Sequence, residues 1–148
     1  MKSIFPLALV ASALTVWLGL TGESEDQANA SEEGKLMLKV VIHINFTDSE
    51  RQKHGLKNVA NILKEVKDAE IEVVCHGGGI GLVVSYQSEH ADEVVRLVEE
   101  GVRFVACENT LRDKSIPKDS LLQGVTTIPS GAVEVILKQS EGFGYFKP

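Results

Sequence analysis

The chain has 148 residues and a formal net charge of −6, which bounds it to one domain around one core. The acidic balance, with no basic run, argues against nucleic acid, whose binding needs phosphate neutralisation. Two cysteines in a chain of this size do not make a disulfide framework, because the core is large enough to need no staple.

In chain order, the first residues read as an address. Lys2 is a minimal positive region, Ile4 to Leu20 is uncharged and mostly apolar, and Ala28-Asn29-Ala30 fits a small-x-small cleavage site. Residues 1–30 are therefore read as a signal peptide, and the mature chain as exported to the periplasm or cell envelope. The rival is an uncleaved anchor, in which residues 4–20 would be the chain's membrane contact. No cysteine precedes Cys75 to carry a lipid. Gly22 to Lys35 is polar and acid-rich, so residues 31–35 are a linker and the domain runs over 36–148.

Leu38 to Asn45 is nearly continuous apolar sequence, as in a strand buried on both faces. Thr47-Asp48-Ser49-Glu50 matches a capping box with Thr47 as N-cap. The helix that follows carries Leu56, Val59, Ala60, Leu63 and Val66 on one face, with Asn58 and Asn61 off that stripe. Ile71 to Cys75 is a second strand, ending in the loop His76-Gly77-Gly78-Gly79-Ile80-Gly81. A second helix has Ala91, Val94, Val95 and Val98 on its apolar face and stops at Gly101. Val102 to Cys107 is a third strand, followed by Glu108 to Arg112, a polar turn running into irregular or helical chain. Pro117 suits a short helix through Leu122, and Val125 to Ile128 is a short fourth strand. Pro129-Ser130 opens a last helix with Val133, Ile136 and Leu137 inward, before a terminal strand at Phe143 to Phe146. Strands alternating with helices predict an α/β domain whose parallel sheet is covered on both faces.

Ligands of such sheets bind at the carboxyl ends of the strands. That edge collects Asn45–Asp48, His76–Gly81, Cys107–Arg112 and Ile128–Gly131. Cys107 is the candidate for chemistry, a nucleophile or sulfur carrier, against the alternative of a small buried core residue. A nearby helix start would favour its thiolate and Glu108 would oppose it. Asn45, His76, Gly77, Gly78, Gly79, Asn109, Thr110 and Ser130 are the candidate ligand-binding residues. The glycines could turn backbone amides toward an anion, or simply form a tight turn. His76 is either an acid–base group or a polar loop residue. His43 reads as a hydrogen-bonded core histidine, and Ser130 as a helix cap. Cys75 shares a face with Ile71 and Val73, so it is assigned to packing and expected to stay unlinked to Cys107. No zinc-ligand spacing is present, and no cofactor is expected.

The stretch Phe104-Val105-Ala106-Cys107-Glu108-Asn109-Thr110-Leu111-Arg112 resembles the DsrE/DsrF-like family. So do Leu121-Leu122-Gln123-Gly124-Val125, the following Ile128-Pro129-Ser130-Gly131, and the close Glu141 to Pro148. The resemblance covers nearly all of Leu36–Pro148. It implies a three-layer α/β/α sandwich with a five-stranded mainly parallel sheet, assembled as a homo-oligomer. It also implies a persulfide-carrying cysteine, for which Cys107 is the match, with a small sulfur species or a sulfur-relay protein as partner. Two functions follow: an exported protein that binds or carries sulfur on a thiol, or a non-catalytic oligomeric module for a small, anionic ligand.

Overall fold

The computed structural model describes residues 37–148. The export signal read in residues 1–30, the linker, and Leu36 lie outside the described residues. The strands are β1 (Lys39–Ile44), β2 (Glu70–Cys75), β3 (Arg103–Cys107), β4 (Thr126–Ile128) and β5 (Gly144–Phe146). The helices are α1 (Ser49–Glu65), α2 (Ala91–Glu99), α3 (Glu108–Asp113) and α4 (Gly131–Ser140), with 3-10 turns at Gly77–Val83 and Lys118–Ser120. The five strands lie in the order β4-β3-β2-β1-β5, and every pair is parallel. Among the described residues, no helix is long and apolar enough to cross a membrane.

Alternation along each strand sends one set of side chains to each face. Val40, Ile42 and Ile44, Ile71, Val73 and Cys75, and Phe104 and Ala106 pack with Leu56 and Val59 of α1 and Val94 and Leu97 of α2. Burying such a side chain fully contributes roughly 1.5–3 kcal/mol, so this cluster supplies most of the cohesion. The other face is thinner. Val41, Val74, Val105 and Ile128 meet only Val135 and Phe143 in a smaller cluster.

Local expectations hold for the strands and differ at three helix positions. Asp48, not Thr47, is the N-cap of α1, its carboxylate accepting from the Arg51 amide at 2.7 Å. Both residue types can cap, and the Asp48 carboxylate, one position on, adds a negative charge at the helix start. In α2 the buried pair is Val94 and Leu97, with Val95 and Val98 half-buried. Gly101 ends that helix region at φ +97°, a conformation that favours glycine.

The third difference concerns α4. Val133, Ile136 and Leu137 form an apolar stripe, but it faces outward: they are 52%, 65% and 48% exposed. Gly131 and Val135 are the buried residues instead, with Glu134 and Lys138 half-buried. The cause is polar. Glu72 of β2 is only 3% exposed, and its carboxylate pairs with Arg103 at 2.7 Å and Lys138 at 3.9 Å. The helix therefore turns its charged side to the sheet. Burial, then the facing Glu134 carboxylate, push the Glu72 carboxyl up to about 7 against the pull of Arg103 and Lys138.

Candidate functional site

Cys107 is the last residue of β3 and the N-cap of α3. It is 4% exposed, and both it and Cys75 are free thiols. The β2–β3 register pairs Cys75 with Ala106, so Cys75 points to the large core and Cys107 to the thinner face. Burial alone would raise the Cys107 thiol, but donors more than offset it. Hydrogen bonding from the Gly131 amide, from the Thr110 amide and hydroxyl, and from the Asn109 amide lowers its pKa below the ordinary thiol value. The chain starts of α3 and α4 thus converge on one sulfur. Cys75 has no such donors, and burial pushes its thiol up to about 12.

Glu108 does not oppose the thiolate as its sequence position suggests. Its carboxylate is taken by Lys118 and by the Thr127 hydroxyl at 2.7 Å. Thr110 is held in turn, because its hydroxyl accepts the Gly77 amide at 3.0 Å.

One residue further along the register, His76 follows Cys75 on β2 as Cys107 follows Ala106 on β3. Their contact is built through Gly131. A Cβ at Gly131 would meet His76 Cβ at 2.8 Å and Cγ at 2.9 Å, so only glycine lets α4 start there and aim its amide at Cys107. His76 Nε2 lies 2.6 Å from His43 Nε2, and the two rings meet edge to edge, nearly coplanar, with centroids 4.7 Å apart and planes 10° from parallel. His43 Nδ1 lies 2.9 Å from the Tyr145 hydroxyl. Burial, then His76, then Lys147 push His43 down to about 4. Burial and Lys147 also lower His76. Both imidazoles are therefore neutral near pH 7.

The remaining sequence candidates spread along the edge. The glycine loop is a 3-10 turn packed on the end of β1. A Cβ at Gly79 would sit 2.2 Å from the Ile44 carbonyl oxygen, and one at Gly78 would sit 3.0 Å from the Asn45 carbonyl oxygen. Close approach explains these glycines. The Gly77 amide is spent on Thr110 and the Gly79 amide on the His76 carbonyl at 2.9 Å, which leaves the loop poorly equipped to cradle an anion. Asn45 is half-buried at the end of β1. Asn109 is exposed, with its side chain turned to Arg112 and its amide toward the Pro129 carbonyl. Ser130 stands at the N-cap of α4, but its hydroxyl makes no capping hydrogen bond.

His43, Tyr145 and Gly131 complete the site; none was named a ligand-binding residue from the sequence, although Gly131 fell at the ligand edge and His43 read as a core histidine. Their placement depends on strand neighbours far apart in the chain. Among the described residues, no cluster of three or more His, Cys, Asp or Glu is arranged to hold a metal ion.

A family profile described as the DsrE/DsrF-like family matches residues 38–148. No curated protein matches the chain. Among solved structures, MTH1491 from Methanobacterium thermoautotrophicum, a protein of unknown function, is 36% identical. It has a TM-score of 0.72 and covers 75% of this chain and 99% of its own. The ychN protein from E. coli is 15% identical, with a TM-score of 0.64 over 76% of this chain and 100% of its own, and shares the fold. The chain belongs to the DsrE/DsrF-like family.

Proposed function

We propose that this protein is an exported sulfur carrier in which Cys107 takes up sulfane sulfur as a persulfide and passes it to an acceptor thiol. The observation that carries the reading is the set of donors from Gly131, Thr110 and Asn109 around the Cys107 sulfur. They shift the balance toward thiolate, the nucleophilic form. In loading, the thiolate attacks the outer sulfur of a donor persulfide. A new S–S bond forms at Cys107, the donor's S–S bond breaks, and the donor leaves as thiolate. Unloading is the same exchange with an acceptor thiolate as attacker, so the cycle needs no outside oxidant or reductant.

The partner is a small sulfur species or a second sulfur-relay protein. The outward stripe of Val133, Ile136 and Leu137 supports assembly as a homo-oligomer, because the described residues leave it uncovered. The export pattern in residues 1–30 supports an envelope location.

The test is intact-protein mass spectrometry after polysulfide treatment of wild type and Cys107→Ser. A gain of one sulfur atom that depends on Cys107 is the expected result. A gain of equal size in both proteins, or in neither, rejects the reading.

A further inference from the structure

Sulfur exchange at Cys107 leaves His76, His43 and Tyr145 without a task, yet they form one connected row beside the thiol. The parallel register sets β5, β1, β2 and β3 side by side, and each contributes its group at the same end and face. Tyr145 is 46% exposed, so the row begins in solvent. It ends at His76, which packs on the residue whose amide holds the Cys107 sulfur. Among the described residues His76 Nδ1 has no hydrogen-bond partner, which leaves it open for a proton.

Two facing Nε2 atoms 2.6 Å apart can share only one proton. The neutral ring that accepts must then keep its own proton on Nδ1. Two arrangements satisfy this. In the first, the Tyr145 hydroxyl donates to His43 Nδ1, His43 Nε2–H donates to His76 Nε2, and His76 Nδ1 carries a proton outward. In the second every bond is reversed, and His76 Nδ1 is a bare lone pair. Burial disfavours charging either ring, which suits exchange between neutral forms.

We propose that Tyr145, His43 and His76 form a proton relay that serves sulfur transfer at Cys107; the proposal rests on the sulfur-carrier reading. In loading, the donor's leaving thiolate takes the His76 Nδ1 proton. The shared proton moves from His43 Nε2 to His76 Nε2, the phenol proton moves to His43 Nδ1, and Tyr145 takes a replacement from water. The row is now in its second arrangement. In unloading, the bare His76 Nδ1 takes the acceptor thiol's proton. The shared proton returns to His43, His43 Nδ1–H returns its proton to Tyr145, and the phenol releases one to water. One proton enters in loading and one leaves in unloading, so a full cycle resets the relay. In this scheme His76 exchanges its proton with the reacting sulfur, while His43 and Tyr145 act through it.

The experiment is single-turnover transfer from glutathione persulfide to Cys107 and from Cys107 to glutathione, in water and in heavy water. Wild type is compared with His76→Gln, His43→Gln and Tyr145→Phe. The relay predicts a loss of about 10²-fold in both half-reactions for His76→Gln, the lower end of what general acid–base catalysis contributes. It also predicts a wild-type solvent isotope effect with more than one proton in flight, lost in Tyr145→Phe. Alkylation of Cys107 by iodoacetamide should be unchanged in Tyr145→Phe, because the thiolate's donors are untouched. Variants that load and unload at the wild-type rate reject the relay and leave the sulfur reading intact. Wild-type Cys107 that gains no sulfur rejects both. Nitrogen-15 spectra give a check independent of sulfur: the relay predicts two neutral rings near pH 7, and rings that protonate at an ordinary imidazole pH overturn it.

Discussion

Replacing Gly131 with alanine probes the thiolate cradle at its most constrained point. The added Cβ would lie 2.8 Å from His76 Cβ and 3.0 Å from Cδ2. His76 is tied by its backbone amide to the Ile44 carbonyl at 3.2 Å and by its ring to His43, so it has little room to retreat. The start of α4 has to move, and the Gly131 amide moves off the sulfur. A hydrogen bond to a charged group contributes about 1.5–3 kcal/mol. At 1.36 kcal/mol per pKa unit, its loss should raise the Cys107 pKa by about 1–2. The assay is the iodoacetamide alkylation rate of Cys107 against pH, with circular dichroism to confirm folding. Overpacking should cost a further 1–3 kcal/mol in urea denaturation. A folded Gly131→Ala protein with an unchanged alkylation profile would refute the cradle.

In the native protein iodoacetamide should modify Cys107 and spare Cys75, which burial holds at about 12; modification of both in the folded state would contradict the assignment. Non-reducing peptide mapping should find no Cys75–Cys107 bridge, since the two thiols point to opposite faces. Glu72 is raised from 4.5 to about 7 by folding, so the native state binds the extra proton between those values. Stability should therefore fall as pH rises through that window, by ~3 kcal/mol, and Glu72→Gln should flatten the dependence in thermal melts from pH 5 to 8. Gly79→Ala should be severely destabilised, on the order of 3 kcal/mol or more, because its Cβ would sit 2.2 Å from a backbone oxygen. N-terminal sequencing of protein from an envelope fraction should begin at Ser31, and recovery of intact Met1 in membranes would establish an anchor instead.

The centre of the sheet was legible because its three middle strands are buried on both faces. Val40 to Ile44, Ile71 to Cys75 and Phe104 to Cys107 each read as a short apolar run, and each is a strand. Cys107 was legible for a related reason, since a thiol at a strand's carboxyl end sits at the ligand edge of any parallel sheet. The apolar stripe of α4 was seen, but its direction was not. That direction is set by Glu72, a carboxylate inside a strand whose partners Arg103 and Lys138 lie on other elements. The imidazole pair was hidden similarly. His43 and Tyr145 are neighbours because β5 returns beside β1, and no local pattern encodes a contact across 102 residues. Gly131 read only as the residue after the Ser130 cap at the ligand edge, whereas its role comes from β4 placing the start of α4 over the end of β3.

A sulfur carrier must pass sulfur on and off one atom. Protein loaded with isotopically labelled polysulfide, desalted, and mixed with glutathione measures that passage. The predicted result is label bound at Cys107, released to the thiol as glutathione persulfide, and absent throughout from Cys107→Ser. Label that never leaves wild-type Cys107, or that loads Cys107→Ser equally, would contradict it.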